Sequence, residues 1–322
     1  MPATIKNVWL CVFCSSLLVV GCMSNNSSSR ANNQDSQTNA PKEVVASNTN
    51  NATELRDRIE QISQAAQGRV GATATVLETG ESVSLNGDQR FPMQSVYKFP
   101  IAMAVLAQVD QGKLQLDQKV RVEASDIVQD SQILDENSQE MEFSLSELLQ
   151  YMVSESDSTA CDMLLRLIGG PAVATKYLRS LGVNDIVVAN TEKEQQGQDP
   201  TVQYRNYATP NAAVNLLRAF HKGEGLSESS QALLLQWMTE ATTGPKRIKG
   251  LLPDGTVVAH KTGTSRTVDG ITAATNDVGL VPLPNGRHLA IAVFVSDSRA
   301  NNATREEVIA KVTRAAWDKW SR

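Results

Sequence analysis

The stretch Phe91-Pro92-Met93-Gln94-Ser95-Val96-Tyr97-Lys98-Phe99-Pro100 decides the reading of this 322-residue chain. A serine hydroxyl is a poor nucleophile at neutral pH unless an adjacent base takes its proton during attack. Residues three apart share one face of a helix, so Ser95 and Lys98 set a hydroxyl beside an amine without help from elsewhere. The bare pattern Ser-x-x-Lys is weak, since about one chance match, on a solvated helix face, is expected in a chain of this length. The flanks add more: Phe91 to Gln94 and Phe99 to Ala102 bed the pair in apolar sequence. Lys98 is therefore expected to be buried, and burial lowers the pKa of an amine.

Three further patterns follow in order: Ser156-Asp157-Ser158, the carboxylate-rich Glu192-Lys193-Glu194, and Lys261-Thr262-Gly263. The last follows the apolar alternation Thr256-Val-Val-Ala-His260, which predicts a strand whose far end carries a cation and hydroxyls. Ser-x-x-Lys, Ser-Asp-Asn and Lys-Thr-Gly are the motif set of class A β-lactamases and penicillin-binding proteins. The chain resembles a class A serine β-lactamase from about Thr53 to the C-terminus. Thr242-Thr-Gly-Pro, Gly250-Leu-Leu-Pro, Val257 to Ser265 and Ala273-Ala-Thr-Asn-Asp277 resemble the extended-spectrum branch of that class, found in Bacteroidetes and mobile in other Gram-negatives.

The resemblance implies a role for each motif residue. Ser95 is the expected nucleophile, its backbone N–H and that of Thr264 forming an oxyanion hole. Lys98 helps to activate it. Ser156 is the expected proton relay to the leaving lactam nitrogen, supported by Lys261, although it also suits a helix cap. The third position of this motif is usually Asn and is here Ser158, whose hydroxyl is shorter and lacks separate amide donor and acceptor groups. Lys261, Thr262, Thr264 and Ser265 should line the substrate-binding wall and meet the substrate carboxylate. Arg247 matches the arginine this branch places beside that carboxylate, the alternative being a surface residue within Lys246-Arg-Ile-Lys249.

The carboxylate that releases the acyl group separates a β-lactamase from a penicillin-binding protein. Thr191-Glu-Lys-Glu-Gln-Gln196 resembles the family's Glu-x-x-x-Asn/His segment, with Glu192 as base and Gln196 helping to hold the water; Glu194 is the alternative base. Where many class A enzymes place an Arg–Asp bridge across this loop, the chain has Asn190 and Asn206, so hydrogen bonds rather than an ion pair are expected to pin it. The expected activity is hydrolysis of penicillins and cephalosporins, oxyimino cephalosporins included, with antibiotic resistance as its outcome. A D-Ala-D-Ala peptidase or a non-hydrolytic β-lactam sensor is the alternative, and applies if no deacylation base exists.

Composition fits an ordinary globular protein, 41% hydrophobic and 20% charged. A net charge of −5 without a basic run gives no reason to expect nucleic acid. His221, His260 and His288 are far apart in sequence and show no metal-ligand spacing, so neither a metal nor a cofactor is expected. The partners are small-molecule β-lactams, and the protein is expected to be a monomer.

Lys6 followed by the apolar run Val8 to Val20 reads as a signal peptide over residues 1–22. Val19-Val20-Gly21-Cys22 resembles a lipobox, so Cys22 is the expected lipid anchor of a periplasmic, membrane-tethered enzyme; ordinary cleavage would leave it soluble in the periplasm. Cys11 and Cys14 lie within the signal, and only Cys161 remains in the folded body. Residues 23–52 are rich in Ser, Asn, Gln and Thr, and should form a flexible tether to a catalytic domain over 53–322.

Within that domain the pattern predicts an opening helix through Leu55, Ile59, Ile62 and Ala66 capped by Gly68, and a hairpin turning at Thr79-Gly80. A capping box at Ser144–Glu147 and first-turn prolines at 171 and 210 mark helices. The unpatterned stretch Asn190 to Asn206 suggests a functional loop. Three strand-like segments run from Thr256 to Asp297, and Thr304-Arg-Glu-Glu307 is expected to cap a closing helix. The fold class is α/β (α+β), with the two-lobed serine β-lactamase/transpeptidase-like architecture that the resemblance implies. An antiparallel sheet with flanking helices comes from 53–90 and 242–322, and a helical lobe is inserted over about 91–241.

Overall fold

The run His288-Leu-Ala-Ile-Ala-Val-Phe-Val-Ser296 is apolar at nearly every position, as a strand covered on both faces requires. In the computed structural model its residues alternate between two cores. Ala290, Ala292 and Phe294 face one that includes most of the central helices. Leu289, Ile291, Val293 and Val295 face a second, shared with the first and last helices. The structure describes residues 42–129, 131, 141–197 and 199–322, with side-chain surroundings from residue 53 onward. The signal peptide, Cys22 and residues 23–41 of the expected tether lie outside the described residues.

Five strands make the main sheet: β1 (Arg69–Val76), β2 (Ser82–Leu85), β3 (Ala259–Thr264), β4 (Thr275–Pro282) and β5 (His288–Ser296). Their order is β2-β1-β5-β4-β3 and the neighbouring pairs are antiparallel. The order joins strands from before and after the central helices in one sheet and leaves β3, with the Lys-Thr-Gly motif, on an edge. Strand β3 begins at Ala259, so Thr256 to Val258 of the expected strand precede it; Val257 is exposed.

Helix α1 (Lys42–Ser63) starts inside the stretch expected to be tether. Gly68 does not cap it. Gln67 takes the left-handed conformation, φ 47°, after a short 3-10 turn. At Gly68 a side chain would stand 2.6 Å from the Ser296 carbonyl oxygen, so glycine there allows backbone contact with β5.

The helical lobe is built around α2 (Lys98–Asp110), whose residues from Lys98 to Ala107 are all buried. A helix apolar all round belongs at the centre of a core. Around it are α3 (Leu145–Ser154), α4 (Ser158–Ile168), α5 (Pro171–Ser180), the short α6 (Glu192–Gln195), α7 (Pro210–His221) and α8 (Glu228–Thr239). The Ser144–Glu147 box caps α3, and Pro171 and Pro210 occupy the first turns of α5 and α7. The closing helix α9 (Asn302–Trp320) is capped by Asn301, whose side chain accepts the Thr304 N–H, and not by Thr304. Asn forms this bond as well as Thr does, and it lies three residues earlier.

Candidate active site

Ser95 lies in the 3-10 turn Gln94–Tyr97 that leads directly into α2. The turn keeps the i, i+3 relation expected from the sequence, and Lys98 Nζ lies 3.1 Å from Ser95 Oγ. Lys98 is fully buried. Its ammonium also donates to the Ser156 carbonyl oxygen at 2.5 Å, approaches Ser158 Oγ at 3.4 Å, and pairs with Glu192 Oε1 at 2.8 Å. Here the sequence expectation needs correcting. Burial is the largest single influence and would lower the Lys98 pKa, but Glu192, Cys161 and Asp157 together outweigh it and the net direction is up. Lys98 is a charged, clamped ammonium.

Ser156 has φ 64°, a left-handed conformation that a non-glycine residue rarely adopts. The twist sends its carbonyl to Lys98 and its hydroxyl to Lys261, whose Nζ donates to Ser156 Oγ at 2.9 Å. Backbone strain of this kind costs about 1–3 kcal/mol and persists where the surroundings enforce it. Ser156 does not cap α4; Asp157 does, accepting the Ala160 N–H. Burial, and then the neighbouring charge on Lys98, lower Lys261 to about 7.

Strand β3 approaches the Ser95 turn so closely that a side chain at Gly263 would meet Met93 O at 2.3 Å and Ser95 N at 3.1 Å. Thr262 is buried, with its hydroxyl 2.6 Å from that of Thr243. Thr264 and Ser265 line the cleft, and Ser265 Oγ accepts from Ala274 N at 2.9 Å. Arg247 is buried rather than on the surface. It pairs with Glu306 at 3.2 Å and donates to the carbonyls of Gly263 and Asn276. It also donates to Thr264 Oγ1 at 2.7 Å, so it holds that hydroxyl from behind.

Of the two carboxylates left open by the sequence, Glu192 is buried against Lys98. Glu194 is exposed and closes a capping box, accepting the Thr191 N–H at 2.8 Å. The loop is pinned as expected: Asn206 Oδ1 accepts from Ala189 N and Asn190 N at 2.7 and 2.9 Å, and its amide donates to Asn190 O at 3.0 Å. A separate exposed ion pair, Arg205–Asp199, spans 3.7 Å.

Two residues here were not singled out in the sequence. Asp162 accepts the N–H groups of Glu192 and Lys193 at 2.7 and 2.9 Å, fixing the start of α6, and burial pushes its carboxyl up to about 6. A carboxylate inside the apolar run Ala160 to Leu165 was the available signal. Gln195 buries both amide atoms without a hydrogen-bond partner among the described residues. Gln196, expected to hold water, donates its amide to Gln129 O at 2.9 Å instead. Ser95, Ser158, Glu192, Gln195, Gln196, Thr264 and Ser265 line one cleft of about 360 Å³.

Cys161 is a buried free thiol, its pKa raised by burial, which suits an inert packing role. The histidines are not all isolated: His221 and His288 meet in space, with ring centroids 4.6 Å apart. Among the described residues no helix is long and apolar enough to cross a membrane.

The model of the β-lactamase enzyme family matches residues 54–320. The extended-spectrum β-lactamase PER-1 of Pseudomonas aeruginosa is 46% identical over 266 residues, covering 82% of this chain and 86% of PER-1. The β-lactamase VEB-1 of the same organism is 40% identical over 265 residues, covering 81% of this chain and 88% of its own. The crystal structure of a β-lactamase from Chitinophaga pinensis superposes with a TM-score of 0.80 at 46% identity, covering 82% of this chain and 98% of that one. With this match over most of its length, the chain belongs to the β-lactamase enzyme family, as a class A serine enzyme that hydrolyses β-lactams.

Proposed function

We propose that hydrolysis proceeds through an acyl-enzyme on Ser95 that is released by water activated at Glu192. The observation that carries this reading is the Lys98 ammonium held between Ser95 Oγ at 3.1 Å and Glu192 Oε1 at 2.8 Å. A charged Lys98 accepts the serine proton only after giving up its own, and Glu192 is the adjacent acceptor. Ser95 Oγ then bonds to the lactam carbonyl carbon while the N–H groups of Ser95 and Thr264 meet the developing oxyanion. As the carbon–nitrogen bond breaks, Ser156 passes a proton to the lactam nitrogen, replenished from Lys261. The proton taken from Ser95 passes on from Lys98 to restore the Ser156–Lys261 pair, and Lys98 recovers its own from Glu192, which is then a carboxylate again. Water gives a proton to Glu192 and attacks the ester, and that proton returns through Lys98 to the departing Ser95 oxygen. The buried amide of Gln195, which lines the same cleft as Glu192, supports a place for that water beside the two side chains.

Lys261 makes the mechanism pH-dependent. In the free enzyme its pKa of about 7 means that the ammonium meant for the substrate carboxylate is lost as pH rises through that value. A bound carboxylate holds the proton on. Accordingly kcat/KM should fall above about pH 7 while kcat falls only at higher pH, because the two report free and bound enzyme respectively. Profiles measured with benzylpenicillin test this, and a kcat/KM flat from about pH 6 to 9 would contradict it.

We propose that the substrates include oxyimino cephalosporins. The cleft extends from Ser95 to Pro200 and Val268, and the relative PER-1 bears the description extended-spectrum. Turnover of ceftazidime should be measurable beside that of cephalothin; negligible ceftazidime hydrolysis would sink this substrate range.

The N-terminal sequence supports export to the periplasm and lipidation at Cys22. Replacing Cys22 by alanine should then move the enzyme from the membrane to the soluble periplasmic fraction. Retention in the membrane would rule out that anchor.

A further inference from the structure

Away from the serine cleft, three ligating side chains remote in sequence converge. Glu78 lies in the turn between β1 and β2, His221 is the last residue of α7, and His288 is the first of β5. Their ligating atoms all lie within 4.8 Å of one another. His288 Nδ1 is 2.7 Å from Glu78 Oε1, and the His288 N–H donates to the other carboxylate oxygen at 2.8 Å. The backbone beneath is fixed, since Val76 pairs with Leu289 at the end of the ladder and Leu77 N donates to His288 O at 2.8 Å. In the sheet, Val295 pairs with Thr275 and Thr275 with Thr264. His288 therefore stands seven residues along β5 from the level of the cleft, roughly 24 Å at the usual strand rise.

Two imidazoles and one carboxylate form a donor set that suits zinc, with a coordination position left for water. Calcium and magnesium prefer oxygen donors throughout, whereas imidazole selects zinc, copper or nickel. Metal–ligand bonds of about 2.0–2.1 Å at tetrahedral angles place donors roughly 3.3 Å apart. The His288–Glu78 contact is slightly tighter than this and would open as a cation replaces the shared proton. The wider separations must close by up to about 1.5 Å to reach that spacing. Side-chain rotation can supply this: His288 and Glu78 are 41% and 38% exposed, and His221 is only partly buried.

We propose that Glu78, His221 and His288 bind a zinc ion that clamps the β1–β2 turn, the end of α7 and the start of β5 at a distance from the catalytic serine. Isothermal titration of the full untagged chain with zinc chloride tests this. The expected result is one site with a Kd of about 10 µM or tighter. At zinc a hundredfold above Kd, the unfolding midpoint should rise by several degrees. His221→Ala and His288→Ala should each weaken binding by about tenfold or more, with nitrocefin hydrolysis unchanged as the check on folding. If His288→Ala fails to fold, His221→Asn removes one imidazole while keeping a polar side chain and decides the matter. Absence of binding at about 1 mM zinc, or binding unchanged in the His221 variants, would overturn the assignment.

Discussion

Glu192→Gln should still acylate but should lose about 10²- to 10⁴-fold in release of the acyl group, the usual contribution of a positioned general base. The amide keeps the size of the carboxylate but cannot take a proton from water. Its effect on Lys98 explains why acylation should survive. Glu192 contributes most, ahead of Cys161 and Asp157, to lifting the Lys98 pKa against burial; without its charge the balance shifts toward desolvation and the amine toward neutrality, better able to accept the Ser95 proton. Stopped-flow nitrocefin hydrolysis should show a burst of one equivalent and then a slow steady state. Glu194→Gln should turn over at close to the parent rate, because that carboxylate serves Thr191. Gln195→Leu should slow deacylation more than Gln196→Leu, since the Gln196 amide is engaged with Gln129. Rapid turnover by Glu192→Gln with a slow Glu194→Gln would exchange their roles.

Gly263→Ala is expected to lower kcat by about 10²- to 10³-fold, the loss that follows removal of one oxyanion donor. The new methyl would face Met93 O at 2.3 Å, Val96 N at 3.0 Å and Ser95 N at 3.1 Å. All three are backbone atoms of or next to the Ser95 turn, so no side chain can rotate out of the way. Edge strand β3 must then move from that turn, and the N–H groups of Ser95 and Thr264 lose their shared aim. Overpacking should also cost about 1–3 kcal/mol of stability. Nitrocefin kinetics together with thermal unfolding separate the two effects; a kcat near that of the parent would show that the turn and strand tolerate separation.

Local patterns made much of the fold legible. The hairpin β1–β2, the Ser144 box and the prolines of α5 and α7 are signals within a few residues of their effects. The Ser95–Lys98 spacing likewise fixes its own geometry. What the sequence could not show depends on distant partners. The upward direction of the Lys98 pKa owes most to Glu192, far along the chain, and the choice between Glu192 and Glu194 rests on which one the loop turns inward. Gln195 and Gln196 are adjacent polar residues that only the winding of α6 distinguishes. Arg247 sits in a basic stretch yet is buried, because two strand carbonyls, Glu306 and Thr264 supply acceptors. The meeting of His221 with His288 is likewise a product of α7 packing against β5 and β1.

The most direct test of the account is intact-protein mass spectrometry of the enzyme mixed with excess benzylpenicillin, sampled over time while hydrolysis is followed. A transient adduct of one penicillin per chain, mapped to Ser95 and vanishing after many turnovers, is the predicted result. A lasting stoichiometric adduct, or turnover that continues in Ser95→Ala, would contradict it.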